Sequence, residues 1–439
     1  MSELLILLGA GASMPYISGT NQLTDHLLHW KRYREPHRGL LRRKEHEGFS
    51  PEQRDHYDEV LNIIPDTTDA RKGIFEALRD VLHSGSASGT AVNFEELIYL
   101  VELLSDYYPL TNVRKIRPLF SHFISPKADL HHWDINTIYS SVIRDASMEI
   151  LNKISFDCDN QNVPHSPIVN GLLSISRKAK LRLFSLNYDD VPLNTGIDFY
   201  TGYDKREKHE GIDFDRFLPK YPWPSENHTF CQLHGSVLFG YHPIEEYEIV
   251  RFPDRAVAQD RRQRILSSGG HLLSDGSKIA EFPLITGMRK SDKILTRPYG
   301  AYYHIFRDEL LRCNKWLIVG YGFGDHHINQ AILQARRNWR IRGDTDFRAG
   351  IVDYCDFKAP PPVGVSSSGF KIADHIMAKW GNSFSDDTNM FLTKTVSLDS
   401  LIKQDELNSV SDQLSIYFNG TDKAFTTPSL EKIVNFLNL

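Results

Sequence analysis

The chain of 439 residues has few cysteines and no long apolar run, and each shortage argues against a class of protein. Its four cysteines lie far apart and form no CxxC pair, which argues against a zinc ribbon or a secreted disulfide framework. No apolar run approaches the roughly 18 residues that a membrane-spanning helix needs. The leading LLILL is too short for the apolar core of a signal peptide. The sequence therefore predicts a cytoplasmic protein without a membrane segment.

The chain also lacks an excess of positive charge. Its formal net charge is −5, so no global field points to nucleic acid. Basic clusters occur at residues 31–44, 261–264 and 336–342, and we interpret each as a solvated helix face or an oligomer contact. With 41% hydrophobic and 24% charged residues, the composition is that of a globular protein. A role for nucleic acid is at most indirect on this reading.

Short apolar runs bounded by turn residues predict the buried strands of a parallel sheet. The runs are Leu4–Leu8, Leu181–Leu186, Phe230–Leu233, Phe282–Thr286, Trp316–Gly320 and Ala349–Asp353. The later runs alternate with helical or irregular pieces, as in a doubly wound sheet. The predicted fold class is therefore α/β, a Rossmann-like doubly wound parallel sheet with an inserted helical subdomain.

The insertion is predicted from the interval between the first two runs, which is far longer than one crossover helix. Helical patterns at Phe94–Tyr107 and Ile138–Ile154 fill part of it. We expect the sheet domain at residues 1–30 and 175–358, and the helical insertion at residues 31–174. A Pro/Gly/Ser-rich stretch, Ala359–Gly369, opens an extension over residues 359–439, which we expect to serve packing or assembly.

Polar residues follow four of the predicted strands, at the edge where open α/β sheets bind ligands. They are Gly9–Ser13 (GAGAS), Asn187–Asp190 (NYDD), His234–Ser236 (HGS) and Gly320–Asp325 (GYGFGD). Gly9 and Gly11 would let a pyrophosphate approach backbone N–H groups, and Ser13 offers a hydroxyl to a phosphate or ribose. Because Met14 occupies the position of the third glycine in a GxGxxG motif, the first motif alone is a weak dinucleotide signature.

Each of the other motifs has two readings. Asn187 can bind a ribose hydroxyl or a water and Asp189 a carboxamide, or both belong to an Asx turn. His234 is a general base if it lines a pocket, and otherwise a satisfied histidine at a strand end. His326 and His327 are adjacent and no HxxxH or HExxH spacing occurs, so no metal site is predicted.

Together the motifs resemble the sirtuin-like family, whose GAGxS, Asn-x-Asp and HG motifs match Gly9–Ser13, Asn187–Asp189 and His234-Gly235 in order. The Asn-Tyr-Asp form, Val319–Asn329 (VGYGFGDHHIN) and Asn93-Phe94-Glu95 are similar to the bacterial sirtuin-like nicotinamide-dinucleotide hydrolases found in antiviral defence. The resemblance spans residues 4–353. The four-cysteine zinc module and GIPDFR loop of protein-deacylating sirtuins have no counterpart, so no zinc is expected.

The resemblance implies that NAD+ is the substrate and that nicotinamide and ADP-ribose are the products. His234 would act as base, Asn187 would orient ribose and water, and Asp189 would hold the nicotinamide carboxamide. The implied NAD+-binding set is Gly9, Ala10, Gly11, Ser13, Asn187, Asp189, Gly320, Gly322, Phe323 and Asp353, of which Asp353 would meet the adenosine ribose.

The resemblance further implies a homo-oligomer, controlled by a HerA-type ATPase partner, that depletes NAD+ in abortive infection. Two alternatives remain open from the sequence. One is an NAD-dependent protein deacylase. The other is a non-catalytic module that binds NAD or ADP-ribose as an assembly signal.

Overall fold

The structure is a computed structural model that describes residues 2–14, 16–28, 93–99, 146–160, 162–243, 248–264, 271–272, 278–279, 284–286, 290–354 and 407–439. Two compact units divide the chain: Met1–Thr20 with Ser147–Leu439, and Asn21–Ala146. Among the described residues, no helix combines the length and apolar character that crossing a membrane requires.

The first unit is built on an eight-stranded sheet. In chain order its strands are β1 (Ser2–Leu8), β2 (Ala179–Ser185), β3 (Phe199–Tyr200), β6 (His228–Gln232), β11 (Lys315–Val319), β12 (Arg348–Val352), β13 (Asn408–Ser411) and β14 (Leu414–Tyr417). Across the sheet they lie in the order β3-β6-β2-β1-β11-β12-β14-β13. All neighbours pair in parallel except β13, which runs antiparallel along the edge of β14.

The sheet confirms the predicted α/β, Rossmann-like fold. Its central strands are continuous apolar runs because both faces of a parallel sheet are covered. All five residues of β11 are buried, as are the last five of β1. The chain passes from β1 to β2 and β6 on one side of the sheet and returns to β11 on the other. The strand order therefore reverses between β1 and β11, which makes the carboxyl ends of these strands the ligand-binding crevice expected of the fold.

Helices occur in both units. Their bounds are α1 (Thr20–Leu28), α2 (Pro167–Ser176), α3 (Arg255–Arg264), α4 (Lys290–Lys293), α5 (Tyr299–Arg312), α6 (His326–Arg342), α7 (Gly420–Ala424) and α8 (Thr427–Phe436), and residues 94–99 and 146–158 are also helical. Helix α2 packs on β2, α8 packs on β12, and α5 packs against α6. Helix α2 can do so because its buried residues Ile168, Val169, Leu172 and Ile175 recur at helical spacing.

A second, antiparallel sheet lies between β3 and α3 in the chain and was not predicted. It contains β4 (Tyr203–His209), β5 (Ile212–Phe217), β7 (Phe239–Tyr241) and β8 (Ile249–Arg251), in the order β4-β5-β8-β7. Its first hairpin turns through Glu210 and Gly211, both at positive φ, as a two-residue type I′ connection requires. Two short strands, β9 (His271–Leu272) and β10 (Lys278–Ile279), form a separate antiparallel pair.

One strand expected from the sequence needs correction, and the unit boundaries differ from the expected domains. Residues 284–286, the described part of the predicted strand Phe282–Thr286, form no strand of the sheet, and Leu284 makes only an isolated bridge to Gly235. The second compact unit spans residues 21–146, whereas the expected insertion spans residues 31–174, and α2 and the helical residues 147–158 lie in the sheet unit. The described part of the extension expected at 359–439 includes β13 and β14, which join the sheet beside β12.

The helical patterns in the predicted insertion are described only in part. Residues 94–99 of Phe94–Tyr107 and residues 146–154 of Ile138–Ile154 are helical, and the remainder of both patterns lies outside the described residues. The basic cluster at residues 31–44 also lies outside them. Of the other two, residues 261–264 close α3 and residues 336–342 close α6.

Candidate active site

The loops after β1 and β11 touch along their backbones at the strand-order reversal. The N–H of Gly9 donates to the carbonyl of Val319, and that of Gly11 donates to the carbonyl of Gly320, both over 2.9 Å. A Cβ on Gly9 would lie 2.6 Å from Tyr321 Cα, and one on Gly11 would lie 3.0 Å from Gly320 Cα. The fold therefore requires glycine at both positions to seat one loop on the other.

This contact corrects the reason given for the first glycine motif. We expected Gly9 and Gly11 to leave room for a pyrophosphate, whereas the room is taken by the loop after β11. The N–H of Ala12 is also used inside the fold, since it donates to the carbonyl of Gly9 over 2.8 Å. Gly322 and Gly324 differ, because a Cβ on either would meet no atom within 4 Å. The open glycine positions of the crevice are thus in the second loop.

Three predicted site residues form one hydrogen-bonded cluster, which we call the serine cluster: Ser13, Asn187 and Asp189. The Ser13 hydroxyl donates to Asp189 Oδ2 over 2.7 Å, and Asn187 Nδ2 donates to Ser13 Oγ over 3.0 Å. These bonds join side chains that are 176 and 174 residues apart in the sequence. All three side chains are buried. Ser13 is therefore the link between the two residues of the Asn-Tyr-Asp motif.

The strand-end turn after β2 holds Asp189 from several sides. The N–H of Val191 donates to Asp189 Oδ1 over 3.1 Å, which is the Asx turn considered from the sequence. Gln232 Nε2, at the end of β6, donates to the backbone carbonyl of Asp189 over 2.9 Å. The next residue, Asp190, forms a two-pronged ion pair with Arg255 at 3.0 and 2.8 Å. The Asx turn and the cluster are thus compatible readings of the same residues.

Among the described residues, no cation directly contacts the carboxyl group of Asp189. Burial raises its pKa to about 6, and the hydrogen bonds from Ser13 and Val191 oppose that rise. The group therefore changes charge close to neutral pH.

His234 lies at the carboxyl end of β6 and is 2% exposed. Its ring bonds to the backbone of Leu186, and its Nε2 has no hydrogen-bond partner. The backbone carbonyl of His234 accepts the N–H of Ile285 over 2.8 Å, which anchors the turn. Burial lowers the pKa of His234 to about 3. The imidazole is thus neutral at physiological pH, the form that a general base needs.

A second group of polar side chains surrounds His234, and we call it the histidine cluster: His234, Asp325, His327 and Lys290. Lys290 Nζ pairs with Asp325 Oδ1 at 2.6 Å. Burial opposes ionisation of Asp325, but the charges of His234 and Lys290 outweigh it and lower its pKa to about 2. Burial also lowers the pKa of His327 to about 4. The ring centroids of His234 and His327 are 5.8 Å apart.

The loop before α6 builds this second cluster. Asp325 is the N-cap residue of α6, where the helix dipole favours a negative charge. The Tyr321 hydroxyl donates to Asn329 Oδ1 over 2.8 Å, and Asn329 Nδ2 donates to the carbonyl of Phe323 over the same distance. Phe323 is buried at a φ of 54°, a strained conformation that these bonds hold in place.

Ligand atoms of His234, Asp325 and His327 lie within 4.8 Å of one another, a set that could hold a metal ion. The ammonium of Lys290 already neutralises the charge of Asp325, as a bound metal cation would. The set was not predicted, because it joins residues from two loops that are distant in sequence and no short sequence motif indicates it.

The structure also locates the remaining predicted residues. Ala10 belongs to the short 3₁₀ helix Ala10–Ala12 after β1. Gly320 follows β11 at a φ of 60°, and Asp353 follows β12 and is buried. The Asp353 Oδ1 accepts the N–H of Tyr354 over 2.8 Å. All of these residues lie at the carboxyl ends of the sheet strands. Gly320 and Asp353 lie on the β11–β12 side of the serine cluster.

Sequence reasoning missed Asp325, His327 and Lys290. For the first two a signal existed, since VGYGFGDHHIN follows a predicted strand with an acid and two histidines, but only Gly320, Gly322 and Phe323 were taken from it. Lys290 follows residues without a motif, so its pairing with Asp325 depends on the fold.

The fold and the site define a Rossmann-like α/β protein with two clusters of polar side chains at the point where the strand order reverses. No protein-family model matches the chain, and a search of curated proteins finds no match to it.

Proposed function

We propose that the chain is an NAD+ glycohydrolase, which cleaves the bond between nicotinamide and ribose to give nicotinamide and ADP-ribose. The observation that carries the proposal is the serine cluster: Ser13 bonds Asp189 at 2.7 Å and accepts a hydrogen bond from Asn187 at 3.0 Å. Motifs that the resemblance links to NAD+ thus meet at the crevice where the strand order reverses.

The nucleotide would lie across the strand ends. Its diphosphate would face the loop of Gly320, Gly322 and Phe323, where Gly322 has open space around it. The adenosine ribose would meet Asp353, whose carboxylate accepts hydroxyl donors. Gly9, Ala10 and Gly11 would support this surface as the neighbouring loop.

The nicotinamide end would lie at the two clusters. Asp189 would accept a hydrogen bond from the carboxamide N–H, and Asn187 would orient the ribose and a water. Ser13 fixes the distance between these two side chains. Because Ser13, Asn187, Asp189 and His234 are all buried, the reacting bond would be held away from bulk solvent.

In the reaction, the bond from ribose C1′ to the nicotinamide nitrogen breaks and its electron pair leaves with nicotinamide, which becomes neutral. Water adds to the resulting oxocarbenium carbon and loses one proton. His234 Nε2, which has no partner in the fold, would accept that proton and release it to solvent. Catalysis would depend on positioning and electrostatics rather than on a protein nucleophile.

Control of such an activity is a further part of the proposal. The burial of all four side chains means that NAD+ entry requires movement of the surrounding chain. We propose that assembly into a homo-oligomer, or binding of a HerA-type ATPase partner in the cytoplasm, opens the site during antiviral defence. The protein would then deplete NAD+ only after activation.

The test is nicotinamide release from NAD+, measured by chromatography with and without the ATPase. Asn187→Ala and His234→Ala should each lower the rate by at least about 100-fold while the folded structure is retained. The matched controls are Asn170→Ala, at an exposed position of α2, and His228→Ala, at the opposite end of β6 from His234. Equal rates in wild type and both site variants would refute the proposal.

The alternatives give different products in the same assay. Nicotinamide release that requires an acyl-lysine peptide would indicate a deacylase. Tight binding of NAD+ or ADP-ribose without turnover, even with the ATPase, would indicate a non-catalytic assembly module.

A further inference from the structure

The histidine cluster contains charged groups that the proposed reaction does not yet use. His234 is the proposed base, and its Nε2 is buried without a hydrogen-bond partner. A buried imidazole that takes up a proton becomes a buried cation, which is unfavourable unless a negative charge lies close to it. The surroundings of His234 therefore decide how readily it can act.

One negative charge faces His234 directly. A carboxylate oxygen of Asp325 and a ring nitrogen of His234 lie within 4.8 Å of each other. Asp325 reaches this place from the loop after β11, whereas His234 follows β6, so three strand-to-strand steps of the sheet separate the strands that carry them. Their approach is a product of the loops, and no local sequence constraint requires it.

The other two groups around His234 are the ammonium of Lys290 and the imidazole of His327. Lys290 Nζ lies 2.6 Å from Asp325 Oδ1, on partly buried side chains. His327 is half-buried and its Nε2 lies 2.7 Å from the hydroxyl of Tyr303. Asp325 favours protonation of His234, while Lys290 and His327 disfavour it. Protonation of His234 is thus favoured by one carboxylate and disfavoured by two other groups.

We propose that Asp325 and Lys290 are positioning residues for His234: Asp325 stabilises the imidazolium that forms when His234 takes a proton from water, and Lys290 keeps Asp325 ionised and in place. This inference rests on the proposed function, since it assigns the electrostatic control of the same base. The proton goes from the attacking water to His234 Nε2 and from there to solvent. Neither Asp325 nor Lys290 gains or loses one.

The first experiment compares kcat and KM for nicotinamide release in the full chain. Asp325→Asn preserves shape and removes the charge, so kcat should fall by about 100-fold while KM changes less than about threefold. Asp325→Glu keeps the charge and should recover most of the lost kcat. The matched control is Asp308→Asn, which disrupts an exposed Asp–His pair with His304 on α5 and should leave both constants unchanged.

The second experiment needs no activity. The ring of His234 is followed by NMR from pH 4 to pH 8, with its signal assigned by loss in His234→Gln. In the wild-type protein, the His234 ring should stay neutral throughout this range. Lys290→Met should bring the titration of His234 into the range, because the disfavouring cation is gone. Adding Asp325→Asn to Lys290→Met should remove the titration from the range again.

The outcomes separate the two proposals. Unchanged kcat in Asp325→Asn, or identical His234 titrations in Lys290→Met and the double variant, would overturn the inference. If wild type releases no nicotinamide while the titrations move as expected, the proposed function fails and the electrostatic coupling stands. If Asp325→Asn does not fold, the titration of Lys290→Met against wild type decides the coupling.

Discussion

Asp189 and Asp325 follow parallel strands that lie on either side of β1, and their charges are controlled in opposite ways. Asp189 is buried among hydrogen-bond donors that carry no charge, and burial raises its pKa to about 6. Asp325 pairs with Lys290 and faces His234, and despite burial its pKa is lowered to about 2. Burial acts to raise the pKa of both carboxyls, and only at Asp325 does a cationic partner outweigh it.

This contrast suits two different tasks. A group that titrates near neutral pH can adjust its hydrogen bonding to a neutral amide, as proposed for Asp189. A carboxylate that stays ionised supplies a permanent negative charge, as proposed for Asp325.

The largest effect concerns the pH dependence of nicotinamide release. Protonation of Asp189 removes the carboxylate that is proposed to accept the carboxamide N–H, so activity is present above pH 6 and is lost as the pH falls through it. The rate should decrease roughly tenfold per pH unit below about pH 6. His234 and Asp325 do not contribute to this loss, because their pKa values are about 3 and about 2.

The measurement is kcat/KM between pH 4 and pH 8, with thermal unfolding recorded at each pH to confirm that the protein is folded. Asp189→Asn should be slower at every pH and should lack the decrease near pH 6. A decrease that persists unchanged in Asp189→Asn would assign the titrating group elsewhere.

The second effect is on stability. Lys290→Met keeps the apolar stem and removes the ammonium, which leaves the partly buried carboxylate of Asp325 without its cation. The free energy of unfolding should fall by about 1–3 kcal/mol, measured by denaturant titration at pH 7. The matched control is Lys293→Met in the same helix α4, whose Nζ donates to the carbonyl of Thr286, and the loss should be about 1 kcal/mol or less.

The double variant Lys290→Met/Asp325→Asn sharpens this prediction. Removing the carboxylate as well should recover most of the lost stability, because no unpaired charge remains. Equal stability of the double variant and Lys290→Met would show that the cost comes from packing rather than from charge.

The smallest effect is expected for Ser13→Ala. This change removes the donor to Asp189 Oδ2 and the acceptor for Asn187 Nδ2, at a cost of about 1 kcal/mol in unfolding free energy. The Ser13 hydrogen bond lowers the pKa of Asp189, so its loss should move the acid decrease in activity to higher pH. Ser176→Ala, whose hydroxyl bonds only the carbonyl of Leu173, is the control and should not move it.

The parallel sheet could be predicted from the sequence because its central strands are continuous apolar runs, an arrangement that only a doubly covered sheet uses. Five of the six predicted runs are sheet strands. The run Phe282–Thr286 was wrong over its described residues, because Leu284 pairs with a turn residue instead of a strand. The antiparallel sheet was missed, since β4 and β5 are rich in charged residues and β7 and β8 have only three residues each.

The residues of the serine cluster could be predicted as strand-end polar groups, but their contacts could not. Glycine at positions 9 and 11 was read as room for a phosphate, whereas the backbone of Gly320 and Tyr321 fills that room. Only the packing of two loops that are distant in sequence reveals this. Strand β14 was missed for the same reason, since a long interval of chain separates it from its partner β12.

Strand periodicity and turn residues are local properties, so the residue types at the carboxyl ends of the strands can be read from the sequence. Which side chains meet depends on the fold: Ser13 meets Asp189 across 176 residues, and Asp325 meets Lys290 and His234. The fold also decided their charges, because desolvation and Coulomb interactions depend on neighbours in space. Two aspartates that look alike in the sequence therefore have pKa values of about 6 and about 2 in the fold.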